Sequence, residues 1–205
     1  MIRRVHLRPG SRAEQTMGMP AQATRWTAAM VRALPDDGHR YEVVDGELLV
    51  TPAPGGLHQR AVSLLLQALD PFARARGVGE ALPSPADIEL DLRGMVQPDV
   101  FVQGLVEGRP AVAWNTGARL LLVVEVLSPS TARADRTVKR RRYQRVGVPE
   151  YWIVDLDARV IERWRPDDER PEILAERITW QPEGATEPLT IELPPLFARI
   201  HGERR

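Results

Sequence analysis

The run at residues 119–127, RLLLVVEVL, constrains the fold more than any other part of the chain. In an extended strand, alternation puts Leu121, Val123, Glu125 and Leu127 on one side and Leu122, Val124 and Val126 on the other. Both sides are apolar apart from one residue, so the strand belongs inside a sheet that is covered on both faces. The exception is Glu125. An ionisable group in such a strand must be paired, bind a metal, or reach solvent at a strand end.

The flanking patterns supply the layers such a sheet needs. Residues 26–34 have the apolar spacing of a short helix stopped by Pro35 and Gly38. YEVV and ELLV flank Asp45-Gly46, a dipeptide suited to a two-residue type I′ turn, and predict a hairpin. Ala61, Leu65, Leu69 and Phe72 recur every three or four residues, which predicts a helix over 57–76 closed by Gly77. Strands are expected at 86–92, 98–103, 119–127, 150–155 and 159–165, with further pieces near 172–180 and 189–193. A helix is expected over 135–146. These elements make a mixed α/β (α+β) domain spanning residues 25–200, with a central sheet flanked by helices. Residues 1–24 are polar and lack a long apolar run, so they read as a disordered tail rather than a signal peptide or membrane anchor. Met17 and Met19 are candidates for the true start.

Composition narrows the chemistry. The 205 residues include no cysteine, which excludes disulfides, thiolate metal sites and a cysteine nucleophile, and is compatible with a reducing cytoplasm. The 28 basic and 28 acidic residues balance, against the usual strong positive charge of proteins that coat nucleic acid; a local basic groove remains open. Lys139 is the only lysine among those basic residues, the rest being arginine. Codon bias explains the arginines. An ammonium kept at one position suggests a requirement that a planar, permanently charged guanidinium does not meet.

Asp99, after Pro98 at the start of a strand, is the natural partner of Glu125. Two carboxylates with open positions suit Mg²⁺, which takes few protein oxygens and keeps several waters. Asp135, Lys139 and Tyr143 are spaced by four and share a helix face. Arg136, Arg140, Arg141 and Arg142 make the same segment the most basic in the chain, either a solvated face or a contact for nucleic-acid phosphates.

These residues carry a resemblance. VVEVLSPST, then Asp135, Lys139 and Tyr143, then GVPEYWIVD, preceded by QPDVFV, YEVVDGEL and His58, resembles the bacterial Uma family of restriction endonucleases, which is assigned to the PD-(D/E)XK nuclease superfamily. The resemblance runs from Tyr41 to Asp155 and more loosely to Phe197. It implies a restriction-endonuclease-like fold, Asp99 and Glu125 as ligands of Mg²⁺ or Mn²⁺, and DNA as the substrate of phosphodiester hydrolysis. The superfamily's usual lysine position, two residues after the acidic one, is Leu127 here; Lys139 takes its place from the following helix. Glu42 matches an acidic position in the family's first motif, as a third metal contact or an exposed strand residue. His58 is a candidate for a supporting or phosphate contact, or a solvated histidine. Asp135 is a catalytic group or a helix N-cap, and Tyr143, Tyr151 and Trp152 read as core or interface.

The leading expectation is a metal-dependent endonuclease whose Asp99, Glu125 and Lys139 do the chemistry. The alternatives are a nucleic-acid-binding protein without turnover, and a structural protein that forms a homodimer through the EYWIVD strand and the C-terminal segment.

Overall fold

A computed structural model describes residues 25–91, 94–111 and 119–203. The expected N-terminal tail, with Met17 and Met19, lies outside the described residues. Among the described residues no helix is long and apolar enough to cross a membrane.

The first element is a helix, α1 (Ala28–Arg32), whose N-terminus is capped by the Thr27 hydroxyl accepting from the Met30 N–H at 3.3 Å. It is shorter than the apolar pattern predicts. The hairpin follows as β1 (Arg40–Val44) and β2 (Glu47–Thr51), paired antiparallel. Asp45 and Gly46 both have positive φ, 53° and 87°, as a type I′ turn requires. Helix α2 (Gly56–Ala75) buries Ala61, Leu65, Leu69 and Ala73 along one stripe.

The strands β3 (Gly79–Pro83), β4 (Ile88–Asp91), β5 (Gly94–Val96), β6 (Val100–Gly104) and β7 (Leu120–Val126) come next. A helical segment then runs as α3 (Ala132–Ala134), a wider π turn (Asp135–Lys139) and α4 (Arg140–Arg145). After it come β8 (Tyr151–Asp155), β9 (Val160–Trp164), β10 (Glu172–Leu174), β11 (Arg177–Trp180), β12 (Leu189–Glu192) and α5 (Leu193–His201). Two short strands, β3 and β5, escape the sequence reading, as does α5. Pro194 and Pro195 look like breakers there, but they occupy the first turn, where a missing N–H costs nothing.

Six strands form the main sheet in the order β10-β9-β8-β7-β6-β3. The run 119–127 becomes an interior strand, as its two apolar faces require. Only β7 and β8 are parallel. On one face α2 and α5 bury Leu65, Leu69, Phe197 and Ile200 against Leu122, Val124, Trp152 and Val154. On the other, Val123, Ile153, Tyr143 and Tyr151 pack with Val44, Ile88 and Val96 of a second sheet, ordered β2-β1-β5-β4. The central sheet is therefore covered by helices on one face, and by the α3–α4 segment and a small sheet on the other. Strand β8 is hydrogen-bonded to neighbours along both edges and buried at Tyr151, Trp152, Ile153 and Val154, so dimerisation through EYWIVD is closed off.

Candidate active site

The register of β6 against β7 builds the site. Val100 pairs with Val124 in an antiparallel ladder, so one further step sets Asp99 opposite Glu125. Both point to the face covered by α4 and the small sheet, and both are 3% exposed.

Asp99 is held by three elements. Its Oδ2 is 3.0 Å from Nε2 of His58 on α2 and accepts from the Val126 N–H at 2.9 Å, while Oδ1 accepts from an Arg40 NH1 on β1 at 2.9 Å. Burial pushes its carboxyl up, but the His58 bond and charge, Arg40 and the Val126 N–H outweigh this and hold it at about 2. Asp99 is therefore a carboxylate at any physiological pH.

Lys139 collects the other acids. Its Nζ lies 2.7 Å from Oε1 of Glu125, 3.0 Å from Oε1 of Glu42 and 3.5 Å from Oδ1 of Asp135. Tyr143 donates its hydroxyl to the same Glu125 oxygen at 3.2 Å, and the Gln97 N–H donates to Glu42 at 2.8 Å. The π turn sits where Asp135 and Lys139 enter this pocket, and the Tyr151 hydroxyl donates to the Asp135 carbonyl at 3.1 Å. Asp135 is therefore not an N-cap, because the helix begins one turn earlier, after Thr131. Nor is Glu42 an exposed strand residue: it is 4% exposed.

The electrostatics show which charge is in excess. Burial disfavours the Lys139 ammonium, but Glu125, Glu42 and Asp135 hold its pKa well above the ordinary lysine value. Burial raises Glu125 well above its ordinary value, and Asp135, Asp99 and Glu42 add to this against the pull of Lys139. Burial likewise raises Asp135. An ion pair alone would lower Glu125. It rises because burial outweighs that pull, and the buried acids Glu42, Asp99 and Asp135 add to it; with Glu125 they outnumber the neighbouring fixed cations, Lys139 and Arg40.

A divalent cation would answer that excess. Glu42, Asp99, Glu125 and Lys139 line one pocket of about 210 Å³, together with His58 and the loop Ser128–Pro129–Ser130–Thr131. The contacts of Glu125 with Lys139 and Tyr143 both fall on Oε1, and Oδ1 of Asp99 has one lone pair beyond its bond to Arg40. Asp135 Oδ1 is buried without a hydrogen-bond partner. Among the described residues no three His, Asp or Glu side chains already form a metal cage, so an ion here would rest on two carboxylates and water. That donor set fits Mg²⁺ or Mn²⁺.

The arginines disperse. Arg136 pairs with Asp155 and Glu162, and Arg140 stacks over the Trp164 ring with its guanidinium carbon 4.5 Å from the centroid. Arg142 is 3% exposed and pairs with Asp45 and Asp91, which withdraws it from any phosphate. A Cβ at Gly94 would lie 3.1 Å from two of its guanidinium nitrogens, so a larger residue there would push the Arg142 side chain aside by a few tenths of an ångström. Of the expected phosphate contacts only Arg141 stays exposed. The sequence reading missed Arg40, although the strand alternation that singles out Glu42 places Arg40 on the same face.

The fold is that of restriction-endonuclease-like nucleases, with this acidic site and its buried lysine on one face of the central sheet. The chain belongs to the Uma2 family, described as "Putative restriction endonuclease", which it matches over residues 28–198. It is similar in structure to a protein from Anabaena variabilis described as a putative nuclease belonging to DUF820, with a TM-score of 0.69 and 19% identity over 85% of this chain and 99% of that one. No curated protein matches the chain.

Proposed function

We propose that the protein hydrolyses DNA phosphodiester bonds with Mg²⁺ or Mn²⁺ as cofactor. The observation that carries this reading is the buried excess of carboxylates around Lys139, on a pocket lined by the SPST loop. Asp99 and Glu125 would hold the ion, which supplies Lewis-acid polarisation of a phosphoryl oxygen and a water of lowered pKa.

The chain's own residues do the rest. His58, Arg40 and the Val126 N–H fix the Asp99 carboxylate as an ionised donor of set orientation. Tyr143 fixes Glu125. Lys139 is a positive charge that three acids keep protonated against the cost of burial, and it would offset the negative charge that gathers on the phosphoryl oxygens during in-line displacement. Arg141 is an exposed cation on this segment that would meet the DNA backbone.

The test is nicking of plasmid DNA with Mg²⁺ or Mn²⁺ and with EDTA. Metal-dependent cleavage that disappears in Glu125→Ala and in Lys139→Arg is expected. Cleavage unchanged in both variants overturns the assignment. The Arg variant keeps the charge and removes the compact ammonium.

One observation favours a second reading, a nucleic-acid-binding protein without turnover: Asp99 already accepts from three donors. That reading predicts salt-dependent DNA binding with no cleavage under any divalent ion.

A further inference from the structure

A second cavity, of about 530 Å³, adjoins the candidate active site. The two share a wall formed by Gly55, His58, Ser128 and Pro129, so a strand with one phosphate at Asp99 and Glu125 passes over His58 to reach it. His58 is 9% exposed, its Nε2 faces Asp99, and its Nδ1 is buried without a partner.

The chemistry of the second cavity is unlike that of the first. Leu57, Leu127 and Leu156 give it apolar walls. Beyond the shared wall its polar residues are Arg136, Asp155 and Asp157, and the Arg136 charge is spent on Asp155 and Glu162. The surplus is negative, which repels a phosphate. Asp155 is itself rigid, with Oδ1 accepting the N–H groups of Asp157 and Ala158 at 3.1 and 2.9 Å. Flat, uncharged, apolar on its faces and hydrogen-bonding at its edge is the description of a nucleobase. Enzymes that hold an unstacked base do so between apolar walls, with polar groups at its edge.

The geometry points to this cavity as a site for one unstacked nucleobase of the strand being cut, next to the scissile phosphate, with Asp157 accepting from an exocyclic amino group. The inference rests on the reading of the neighbouring pocket as a site for DNA. Cytosine, adenine and guanine carry such an amino group, whereas thymine does not. The sugar-phosphate backbone turns at His58, which lines both cavities.

The test places 2-aminopurine, whose emission rises when it is unstacked, in turn at each position of a short single-stranded DNA with phosphorothioate linkages that resist cleavage. Binding to the full chain with Mg²⁺ is followed by anisotropy and by 2-aminopurine intensity. A several-fold rise at one or more positions is expected, lost in Ala132→Trp, which fills the cavity, and reduced in the surface variant Asp157→Ala. Binding without any rise, or a rise that both variants retain, overturns the base site and leaves the DNA reading standing. Absence of binding to any DNA overturns the DNA reading, and the base site with it.

Discussion

The ammonium of Lys139 lies 2.7 Å from Oε1 of Glu125, and neither side chain is more than 4% exposed. Removing one partner leaves the other's charge buried. Lys139→Met should therefore destabilise the fold by about 3–5 kcal/mol, whereas a double variant with Glu125→Leu should recover much of the loss. Urea unfolding of the two single variants and the double measures this; simple additivity would contradict the pairing.

Asp99 gives stability a defined pH dependence. Its folded pKa is depressed from 3.8 to about 2, so the stabilisation is present above about pH 4 and is lost as pH falls toward 2. The amount is about 2 kcal/mol. The stability gap between wild type and Asp99→Asn should narrow over that window. A gap independent of pH would show that the charge of Asp99 is not what His58 and Arg40 stabilise.

Divalent ions should stabilise the folded chain before any substrate is present. At 100 times the dissociation constant, Mn²⁺ should add about 2.7 kcal/mol. Thermal unfolding should show this in wild type and in Asp157→Ala, but not in Glu125→Gln. Equal shifts in all three proteins would place the ion elsewhere.

Arg141 and Arg142 are neighbours with opposite expected roles. Arg142→Ala should cost stability, about 1–3 kcal/mol, because Asp45 and Asp91 lose a buried counter-ion, and should leave DNA affinity nearly unchanged. Arg141→Ala should leave stability alone and reduce the slope of affinity against salt by about one counter-ion. Unfolding curves and salt titrations separate the two.

Tyr151 should matter beyond the single bond that it makes. Tyr151→Phe removes the donor to the Asp135 carbonyl, at a cost of about 1 kcal/mol. If that bond holds the π turn that aims Lys139, DNA cleavage should fall by more than the stability loss explains. Unchanged cleavage would make Tyr151 a packing residue only.

Much of this was legible in the chain. The interior strand was fixed by its two apolar faces, the hairpin by Asp45-Gly46, and the long helix by the spacing of Ala61, Leu65 and Leu69. Glu125 stood out because an apolar strand has no use for a charge. β3 and β5 stayed hidden because Gly79 and Gly94 break the strand pattern, although each is paired in a sheet. The π turn was hidden because the spacing of four between Asp135, Lys139 and Tyr143 fits an α-helix as well as the wider turn. The dispersal of the arginines was hidden for another reason: partners such as Asp45, Asp91 and Glu162 are distant in sequence, and composition carries no trace of them.

The parallel pairing of β7 with β8, the single one among the described residues, has a consequence for how the site comes into being. A parallel neighbour requires a crossover, and this crossover is the segment that carries Asp135 and Lys139. Carboxylate and ammonium thus belong to one local unit, which closes a short loop before any distant part of the chain need arrive. Asp99 joins with β6, and Glu42 with the small sheet. A chain caught partway through folding would hold its Glu125–Lys139 pair before it held the full set of acids.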